Sequence, residues 1–420
     1  MRCLVTRVRR SRISLIIASL AAAALVVAGC GSSSVSGSGG TASTTNSAST
    51  IKLGMIATIH SASYGFQDVA DAFNAAVDSI NAHGGIKGHK LQAIVCDDQG
   101  QAAIAAQCAN TLINTDNVAA LGGDISGVDA PVYPVAKAGG APIFCGNGGS
   151  TTAAEIPTYF ACDAGIYAYT NMPILFQPGW KTVSLLYFQG LPSTSAYIEN
   201  GIKTAGSDVK LTGVPVPLTT VDFGPILAEA KSQHADALIS QLSATQNLAI
   251  MQEEVATGTK IPLLTTGGQA TSQVVTFAAK NNIPYYFASA FILDPKVSAM
   301  RAQELSDLRK YAPNIPDTVS ESVGSAWLFP YLLKLGADSA QLTNFTRAGI
   351  SKWAAAQHSF VTNYSAPLNW AGPGPLQDAP RFGNLWALPV KVTSSGGEVL
   401  LRNEWETLAG KKATLPLPTG

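Results

Sequence analysis

A chain of 420 residues is longer than a typical single domain, so the sequence predicts two lobes or domains. Hydrophobic residues make up 46% of the chain and charged residues only 13%, which implies a large buried core. Lys and Arg total 27, as do Asp and Glu, so the formal net charge is zero. This balance gives no electrostatic reason to expect a nucleic-acid partner.

The N-terminal residues have the features of a targeting segment rather than of a folded domain. Arginines cluster in the first dozen positions, and the apolar stretch 13–27 that follows is too short for a comfortable membrane span. It ends in Val27-Ala28-Gly29-Cys30, which resembles the lipobox of bacterial lipoproteins, whose cysteine is acylated and becomes the mature N-terminus. The resemblance implies a signal peptide over 1–29 and a lipid on Cys30. The alternative is an ordinary secretory signal with a chance cysteine.

The segment after this cysteine predicts a flexible tether. Residues 31–50 are almost entirely Gly, Ser, Thr and Ala, a composition that cannot bury enough apolar surface to fold. Together with Cys30 they form a segment, 30–50, that would hold a folded domain close to a membrane. We therefore expect an exported protein, lipid-anchored to the outer face of the bacterial cytoplasmic membrane.

The folded part begins with a β-α-β unit over 51–100. IKLGMIAT predicts a short buried strand, and from Phe66 the apolar residues fall at helical spacing. Gly84 and Gly85 end this helix before LQAIVCDD, a second strand. The loop after the first strand lies where open α/β sheets bind ligands.

The same pattern of strand, small polar loop and helix recurs along the chain. Its repeats at 118–131 and 141–152 predict a doubly wound parallel sheet. A second series, from TVSLLYFQG to PYYFASAFI, predicts a second lobe, and a helix is expected near 166–176 between the two series. Helices return at 299–311, 319–335 and 342–353, before a Pro/Gly-rich hairpin and a last strand.

Helices that return so late imply lobes that are not contiguous in sequence. Several chain crossovers would then join them, which is the arrangement of a hinge. We predict a first lobe from 51–168 with 292–366, and a second lobe from 169–291 with 367–410.

Four cysteines remain once Cys3 leaves with the signal and Cys30 takes the lipid. An even number in an exported protein suggests two disulfides. We predict the pairs Cys96–Cys108 and Cys145–Cys162 because each closes a short local loop, with buried free thiols as the alternative. The sequence has no C-x-x-C motif and no histidine at ligand spacing, so a metal site is disfavoured.

Motifs for catalysis and phosphate binding are missing from the sequence. There is no G-x-x-x-x-G-K-[ST], no G-x-S-x-G and no H-E-x-x-H. The pair Asp97-Asp98 falls where a strand ends and a helix begins, which favours helix capping over acid–base catalysis. We therefore expect no enzyme, no catalytic residue, no cofactor and no metal.

Several stretches between 51 and 395 carry a family resemblance. They are IKLGMIAT with its Ser/Tyr-Gly loop, DSINAHGGIKGHKLQAIVCDDQG, NVAALGGDISG, PVYPVAKAGGAPIF and PLNWAGPGPLQDAPRFGN. With them the sequence resembles the type I periplasmic binding proteins of branched-chain amino-acid and amide ABC transporters. The resemblance implies an α/β fold of two Rossmann-like lobes joined by a multi-crossover hinge. It also implies a receptor that captures a small solute between the lobes and delivers it to a membrane permease.

The resemblance also implies which loops contact the ligand. In the first lobe these contacts fall on His60, Ser61 and Tyr64, on Asp124, Ile125 and the carboxylate-binding Ser126, and on Asn147, Gly148, Gly149 and Ser150. In the second lobe they fall on Gln189, Ser193, Gln241, Ser243 and Gln269. The family's acidic partner for a ligand ammonium belongs near Gly267, where this sequence has no acid. Either Asp124 supplies that charge or the ligand lacks an ammonium group.

We therefore expect a monomeric, lipid-anchored solute-binding protein of an ABC importer, with a small polar or carboxylated solute of the amino-acid, amide or organic-acid type. One alternative is a sensor of the same fold that presents its ligand to a signalling receptor. The other is a secreted α/β hydrolase, which would need a nucleophile with a base within reach.

Overall fold

The computed structural model describes residues 49–61, 65–124, 126–146, 151–189, 194–217, 219–315, 320–377, 379–402, 404–407 and 413–416. The predicted signal peptide, Cys30 and all of the tether before residue 49 lie outside these residues. Within them, no helix has both the length and the apolar character needed to cross a membrane.

The first sheet contains five parallel strands, in the order β2-β1-β3-β4-β5. The strands are β1 (Ile51–Ala57), β2 (Leu91–Asp97), β3 (Ala120–Gly122), β4 (Ile143–Phe144) and β5 (Tyr159–Phe160). Their helices are α1 (Gln67–Ala82), α2 (Ala102–Asn110, continued by a π-helical turn over Thr111–Thr115) and α3 (Val132–Ala138). Apolar clusters cover both faces of this sheet, as expected for buried parallel strands.

The second sheet contains seven strands, in the order β12-β11-β10-β9-β8-β6-β7. They are β6 (Thr182–Phe188), β7 (Lys210–Val216), β8 (Ala237–Ser240), β9 (Leu263–Thr266), β10 (Tyr285–Ser289), β11 (Leu388–Val392) and β12 (Glu398–Leu400). Strand β11 pairs antiparallel with both β10 and β12, whereas the other pairings are parallel. Helices α4 (Ser195–Ala205), α5 (Gly224–Ser232), α6 (Ala244–Thr257) and α7 (Ser272–Asn281) connect the parallel strands. A further antiparallel pair, β13 (Glu404–Thr407) and β14 (Ala413–Pro416), ends the described chain.

The late helices return to the first sheet. They are α8 (Ala299–Tyr311), α9 (Glu321–Asp338) and α10 (Arg347–Ala355). On α9, Phe329 lies between Phe73 of α1 and Phe144 of β4, with ring centroids 5.8 and 6.0 Å apart. The prediction of two doubly wound α/β units joined by several crossovers is therefore confirmed.

Some local predictions differ from the structure. The helix expected near 166–176 is a 3-10 helix over Gly165–Leu175, and it contains Pro173, which lacks the N–H that an α-helix interior needs. The last helix begins at Arg347 rather than at 342, because Thr346 caps it by accepting from the Gly349 N–H.

Both disulfides form as predicted. Cys96–Cys108 joins the end of β2 to α2, and Cys145–Cys162 joins the residues that follow β4 and β5. Each bond therefore fixes a loop at the carboxyl edge of the first sheet.

Candidate functional site

The carboxyl ends of β1, β2 and β3 meet around the buried carboxylate of Asp98. Its Oδ1 accepts from Thr58 Oγ1 at 2.6 Å and from the Gly100 N–H at 2.8 Å. Its Oδ2 accepts from the hydroxyl of Ser126, which is only 2% exposed and itself accepts from the Val128 N–H. The single proton of the Ser126 hydroxyl is thus directed at Asp98.

Two further carboxylates lie beside this group. Asp124 accepts from the Ile56 N–H at 2.8 Å, and Asp129 accepts from the Tyr133 hydroxyl. Burial, with smaller effects from Asp129 and Asp98, raises the pKa of Asp124 to about 7. A small cavity of about 10 Å³ is lined by Ile56, Asp124, Ser126, Asp129, Val132 and Tyr133.

The first loop is organised by Asp97. This carboxylate accepts from the N–H groups of Ile59 and Gln99 at 2.9 Å, and it lies 2.8 Å from His60 Nδ1. His60 is exposed and Ser61 is half-buried. The predicted capping role of Asp97 and Asp98 is wrong, because α2 begins after Gln101 and has no side-chain cap. The two carboxylates hold loops instead.

Several predicted contacts lie outside the described residues. They are Tyr64, Ile125, Asn147, Gly148, Gly149, Ser150 and Ser193.

Three of the predicted contacts of the second lobe lie together at the ends of β8 and β9. Gln241 accepts from the backbone and side chain of Thr194 at 3.2 Å, and Ser243 caps α6 by accepting from the Gln246 N–H. Gln269 donates to Tyr169 and to the Leu242 carbonyl, so it links the two loops. The fourth described residue of this group, Gln189, is exposed at the end of β6.

A larger cavity lies where the chain passes between the two sheets. We call it the hinge pocket; it has a volume of about 40 Å³. Its walls come from the segment after β5, the ends of β9 and β10, the start of α9 and the segment before β11. It is lined by Asp163, Ala164, Gly165, Ala168, Asn171, Thr266, Gly268, Ala288, Ala290, Glu321, Trp386 and Ala387.

Two buried carboxylates enter the hinge pocket from different elements. Asp163 accepts from the Gly165 N–H at 2.8 Å and from Ser325 Oγ at 3.2 Å. Glu321, at the start of α9, accepts from the Ala290 N–H. Burial raises the pKa of Glu321 to about 8, helped by the charge of Asp163, and burial also raises the pKa of Asp163.

Glu321 occupies the space beside Gly267, where the resemblance implies an acid on the β9 loop and the sequence has none. A Cβ built on Gly267 would lie 2.3 Å from Glu321 Oε1, so the carboxylate from α9 fills the space that a side chain on that loop would need. Neither Asp163 nor Glu321 is among the residues predicted from sequence. The sequence offers one signal, an acid in the first turn of a largely apolar helix, which by itself indicates only a favourable interaction with the helix dipole.

Tyr159 links the two acidic regions. Its buried hydroxyl donates to the Gly146 carbonyl at 2.6 Å, and the charges of Asp163, Asp129 and Asp124 add to burial in raising its pKa. Tyr159 therefore lies near carboxylates of both regions, Asp124 and Asp129 on one side and Asp163 of the hinge pocket on the other. No group of three or more His, Cys, Asp and Glu side chains among the described residues is placed to hold a metal ion.

Comparison with known proteins places this arrangement in a family. A family model described as "Periplasmic binding protein" matches residues 50–373. No match is found among curated proteins.

Solved structures share the fold at low sequence identity. The branched-chain amino acid substrate-binding protein LivJ from Streptococcus pneumoniae, in complex with isoleucine, is 18% identical, with a TM-score of 0.66 over 87% of this chain and 99% of that one. A fatty acid ABC transporter substrate-binding protein from Thermomonospora curvata is 17% identical, with a TM-score of 0.68 over 88% and 96%. An ABC transporter solute-binding protein from R. palustris, in complex with benzoate, is 17% identical, with a TM-score of 0.65 over 84% and 95%.

The family model covers most of the folded chain, and these neighbours share its two-sheet α/β fold. The predicted family is therefore confirmed, and with it a solute-binding rather than an enzymatic role. The chain belongs to the periplasmic binding protein family, with the fold of its type I members.

Proposed function

We propose that this protein is the solute-binding lipoprotein of an ABC importer, and that it captures a small polar solute between its two lobes by closure of a hinge. The observation that carries the proposal is the hinge pocket, to which residues packed with both sheets contribute. Glu321 comes from a helix packed on the first sheet, whereas Thr266 ends β9 of the second sheet and Gly268 lies in the turn that follows. A solute held there would contact both halves, so its binding energy would favour the closed form.

The lobes would follow the boundaries predicted from sequence, 51–168 with 292–366 and 169–291 with 367–410. The apolar core of the first sheet includes residues of α8, α9 and α10, which supports this division. With these boundaries the chain crosses between the lobes three times, near 168, 291 and 366. These crossovers would absorb the closing motion, as hinges of a few loop residues do.

The solute class is proposed from the residues and the neighbours together. Structural neighbours are named for isoleucine, fatty-acid and benzoate binding, so the fold accepts ligands of different polarity. Here the described contacts are carboxylates, amides and hydroxyls, which favour a polar solute of the amino-acid or amide type. The loops expected to contact it hold His60, Ser61, Asp124 and Ser126. On the second lobe they hold Gln189, Gln241, Ser243 and Gln269.

A ligand panel tests the proposal. Amino acids, amides, amines and organic acids would be added to the purified soluble domain, and the melting temperature would be measured. A ligand at a hundredfold excess over its Kd stabilises the folded state by about 2.7 kcal/mol, which is readily detected. Small-angle scattering of the same samples should show a smaller radius of gyration when the ligand closes the lobes. A panel without any stabilising solute would contradict the proposed function.

The export route and the partner have their own test. We propose that lipid on Cys30 holds the protein at the membrane beside its permease. Cys30→Ser should move the protein from the membrane fraction to the soluble fraction, while the wild type stays with the membrane. Cys3→Ser, within the signal, is the matched control and should leave the fractionation unchanged. Equal membrane retention of the wild type and the Cys30→Ser variant would argue against the anchor.

A further inference from the structure

We propose that strand β13 (Glu404–Thr407) is a clasp on the hinge, which favours the closed arrangement of the two lobes before any solute binds. The inference goes beyond the proposed function, since it concerns how the chain controls its own opening rather than what it captures. It rests on that function in one respect only, namely that the lobes move about a hinge. Such a clasp sets the closed fraction of the ligand-free protein, and with it the apparent affinity for a solute that closes the lobes.

Two segments run from one sheet to the other beside this strand. In the 3-10 helix Gly165–Leu175, Tyr167 belongs to an apolar cluster of the first sheet and Tyr169 to a cluster of the second. In the segment before β11, Leu385 belongs to the same cluster of the first sheet and Ala387 to that of the second. Because a hinge concentrates its motion in a few such residues, opening must change the backbone here.

Strand β13 is anchored in the second lobe and bonded to one of these segments. The side chain of Trp405 is fully buried in an apolar cluster of the second sheet. The next residue, Glu406, donates its N–H to the Ala387 carbonyl at 2.9 Å and accepts from the Ala387 N–H at 2.8 Å. Both backbone polar groups of Ala387 therefore bond to β13, which fixes this residue on the side of the second lobe.

Asn171 connects the two segments through its side-chain amide. Its Oδ1 accepts from Thr407 Oγ1 at 3.3 Å, and its Nδ2 donates to the Leu385 carbonyl at 2.5 Å. Asn171 is 1% exposed and Thr407 is 7% exposed, so losing either bond leaves a buried polar group, which is costly. Thr407 thus orients the amide that holds Leu385 beside the 3-10 helix.

Arg402 attaches the other end of the strand to the same helix. Its guanidinium donates to the Ile174 carbonyl and forms an ion pair with Glu406. The ion pair is partly exposed and contributes little by itself, but it keeps the guanidinium directed at the helix. Strand β13 is therefore held to the 3-10 helix on both sides, by Arg402 before it and by Thr407 at its last position.

These bonds are made in an arrangement in which the two halves of the molecule touch. A Cβ on Gly267, after β9, would lie 2.3 Å from Glu321 Oε1 at the start of α9, so the halves are in contact at the hinge pocket. Asn171 lines the same pocket. Leu385 packs with the first sheet whereas Asn171 follows the residues that pack with the second, so opening would separate the two. The clasp therefore makes bonds that favour the closed form over the open form.

Pulsed electron paramagnetic resonance on the ligand-free protein tests the clasp. Spin labels on Gln67→Cys, at the start of α1, and Thr219→Cys, after β7, report the distance across the cleft, because both sites are exposed and follow strands of different sheets. We expect mainly the short distance in the otherwise wild-type protein. Thr407→Val keeps the side-chain shape and removes the donor to Asn171. It should raise the ratio of open to closed protein about threefold to tenfold, the effect of one lost hydrogen bond.

A second variant and a matched control complete the experiment. Asn171→Asp keeps the acceptor for Thr407 but places an oxygen opposite the Leu385 carbonyl, so it should raise the same ratio by about tenfold or more. Thr265→Val is the control: its buried hydroxyl lies 2.7 Å from that of Tyr285 within the second sheet, and it lines neither cavity. This control should lose stability without changing the distances. Melting temperatures confirm that each variant is folded.

The outcomes are distinct from those of the ligand panel, because no solute is added. Distances that stay unchanged in both Thr407→Val and Asn171→Asp would overturn the clasp, and so would a wild type that is mainly open. An equal shift in Thr265→Val would also overturn it, since the effect would then follow from lost stability alone. If the clasp variants open but no solute stabilises the protein, the clasp stands and the proposed function is contradicted. If a solute binds but the distances never change, the reverse holds.

Discussion

Gly267 and Glu321 occupy one space between them. A Cβ at position 267 would lie within 2.7 Å of three atoms of the Glu321 side chain, closer than real Cβ contacts come. The glycine is thus required by a carboxylate that comes much later in the chain, at the start of α9. This kind of complementarity depends on tertiary contact.

Gly267→Ala should therefore destabilise the ligand-free protein by about 1–3 kcal/mol, the usual cost of overpacking a filled site. In a Glu321→Ala background the same change should cost much less, because the colliding atoms are gone. Thermal unfolding of the two single variants and the double variant gives the coupling energy directly. The neighbouring Gly268→Ala is the control, since the nearest atoms to its Cβ lie 3.9 Å away. Additive effects of the first two changes would show that the residues do not share this space.

Ser126 provides a second test at the same scale. Ser126→Ala removes a buried donor from Asp98 and an acceptor from the Val128 N–H, so it should lower the stability of the ligand-free protein by about 1–3 kcal/mol. The exposed Ser232→Ala, whose carbonyl partner can turn to water, should change it far less. A melting temperature of Ser126→Ala equal to that of the wild type would contradict the buried hydrogen-bond role.

The loops could be located from the sequence, but the direction of their side chains could not. The position of Ser126 after a glycine-rich strand end placed it correctly at the carboxyl edge of the sheet. Its partner, Asp98, comes from the loop of another strand, and only the packing of β1, β2 and β3 brings the two together. For the same reason the resemblance implies an acid on the β9 loop, whereas the carboxylate that fills this space comes from α9.

Arg347 joins separate elements at the edge of the first sheet. It opens α10, where the helix dipole disfavours a cation, yet its guanidinium reaches three backbone carbonyls. These belong to Ile113 in the π-helical turn, Val118 before β3 and Gly139 after α3. One planar side chain thus satisfies acceptors that the ends of two helices and a loop leave open.

Arg347→Ala should destabilise the protein by about 1–3 kcal/mol, because partly buried carbonyls lose their donors. Arg347→Lys should recover only part of this, since an ammonium cannot match the fork of the guanidinium. Chemical denaturation measures both effects, and Lys352→Ala, exposed on the same helix, is the control. A lysine variant as stable as the wild type would show that the three-carbonyl geometry is unimportant.

Element types were predictable wherever the hydrophobic pattern was long. The seven-residue strands β1, β2 and β6 follow clear apolar runs, and the sequence indicated each of them. Strand β5 has only two residues, Tyr159 and Phe160, and its sequence gives no period to detect. It exists because β4 pairs with it in the sheet.

Buried and partly buried carboxyl groups give the whole molecule a pH dependence. The pKa is raised to about 7 for Asp124 and Glu398 and to about 8 for Glu254 and Glu321, in each case mainly by burial. In the unfolded chain such groups ionise near pH 4. Between these values the folded protein binds more protons than the unfolded one, so stability should fall as the pH rises from about 5 to 8.

At lower pH the sign reverses. Backbone hydrogen bonds lower the pKa of Asp236, and the N–H groups and His60 around Asp97 do the same for that residue. Their stabilising effect is present above the pKa of the unfolded chain and is lost as the pH falls below about 4. The stability of the ligand-free protein should therefore be greatest near pH 5, which denaturant titrations from about pH 3 to 9 can measure.

Glu254 separates this effect from the cleft. It is buried on α6, where Oε1 accepts from the Ile261 N–H at 3.0 Å, and it lines neither cavity. Glu254→Gln keeps that acceptor and removes the titration, so it should flatten the decline above about pH 5 and stabilise the protein at about pH 8, on the order of a few kcal/mol. The exposed Glu199→Gln should leave the profile unchanged.

The same profiles report whether the ligand-free lobes are open or closed. If opening of the lobes exposes Asp124 and Glu321 to water, these two residues contribute to the decline only in the closed form. Glu398 lines neither cavity and contributes in both forms. A decline that Glu254→Gln and Glu398→Gln together abolish would therefore mean that the ligand-free protein is open in solution, whereas a residual decline that Glu321→Gln reduces would mean that it is closed.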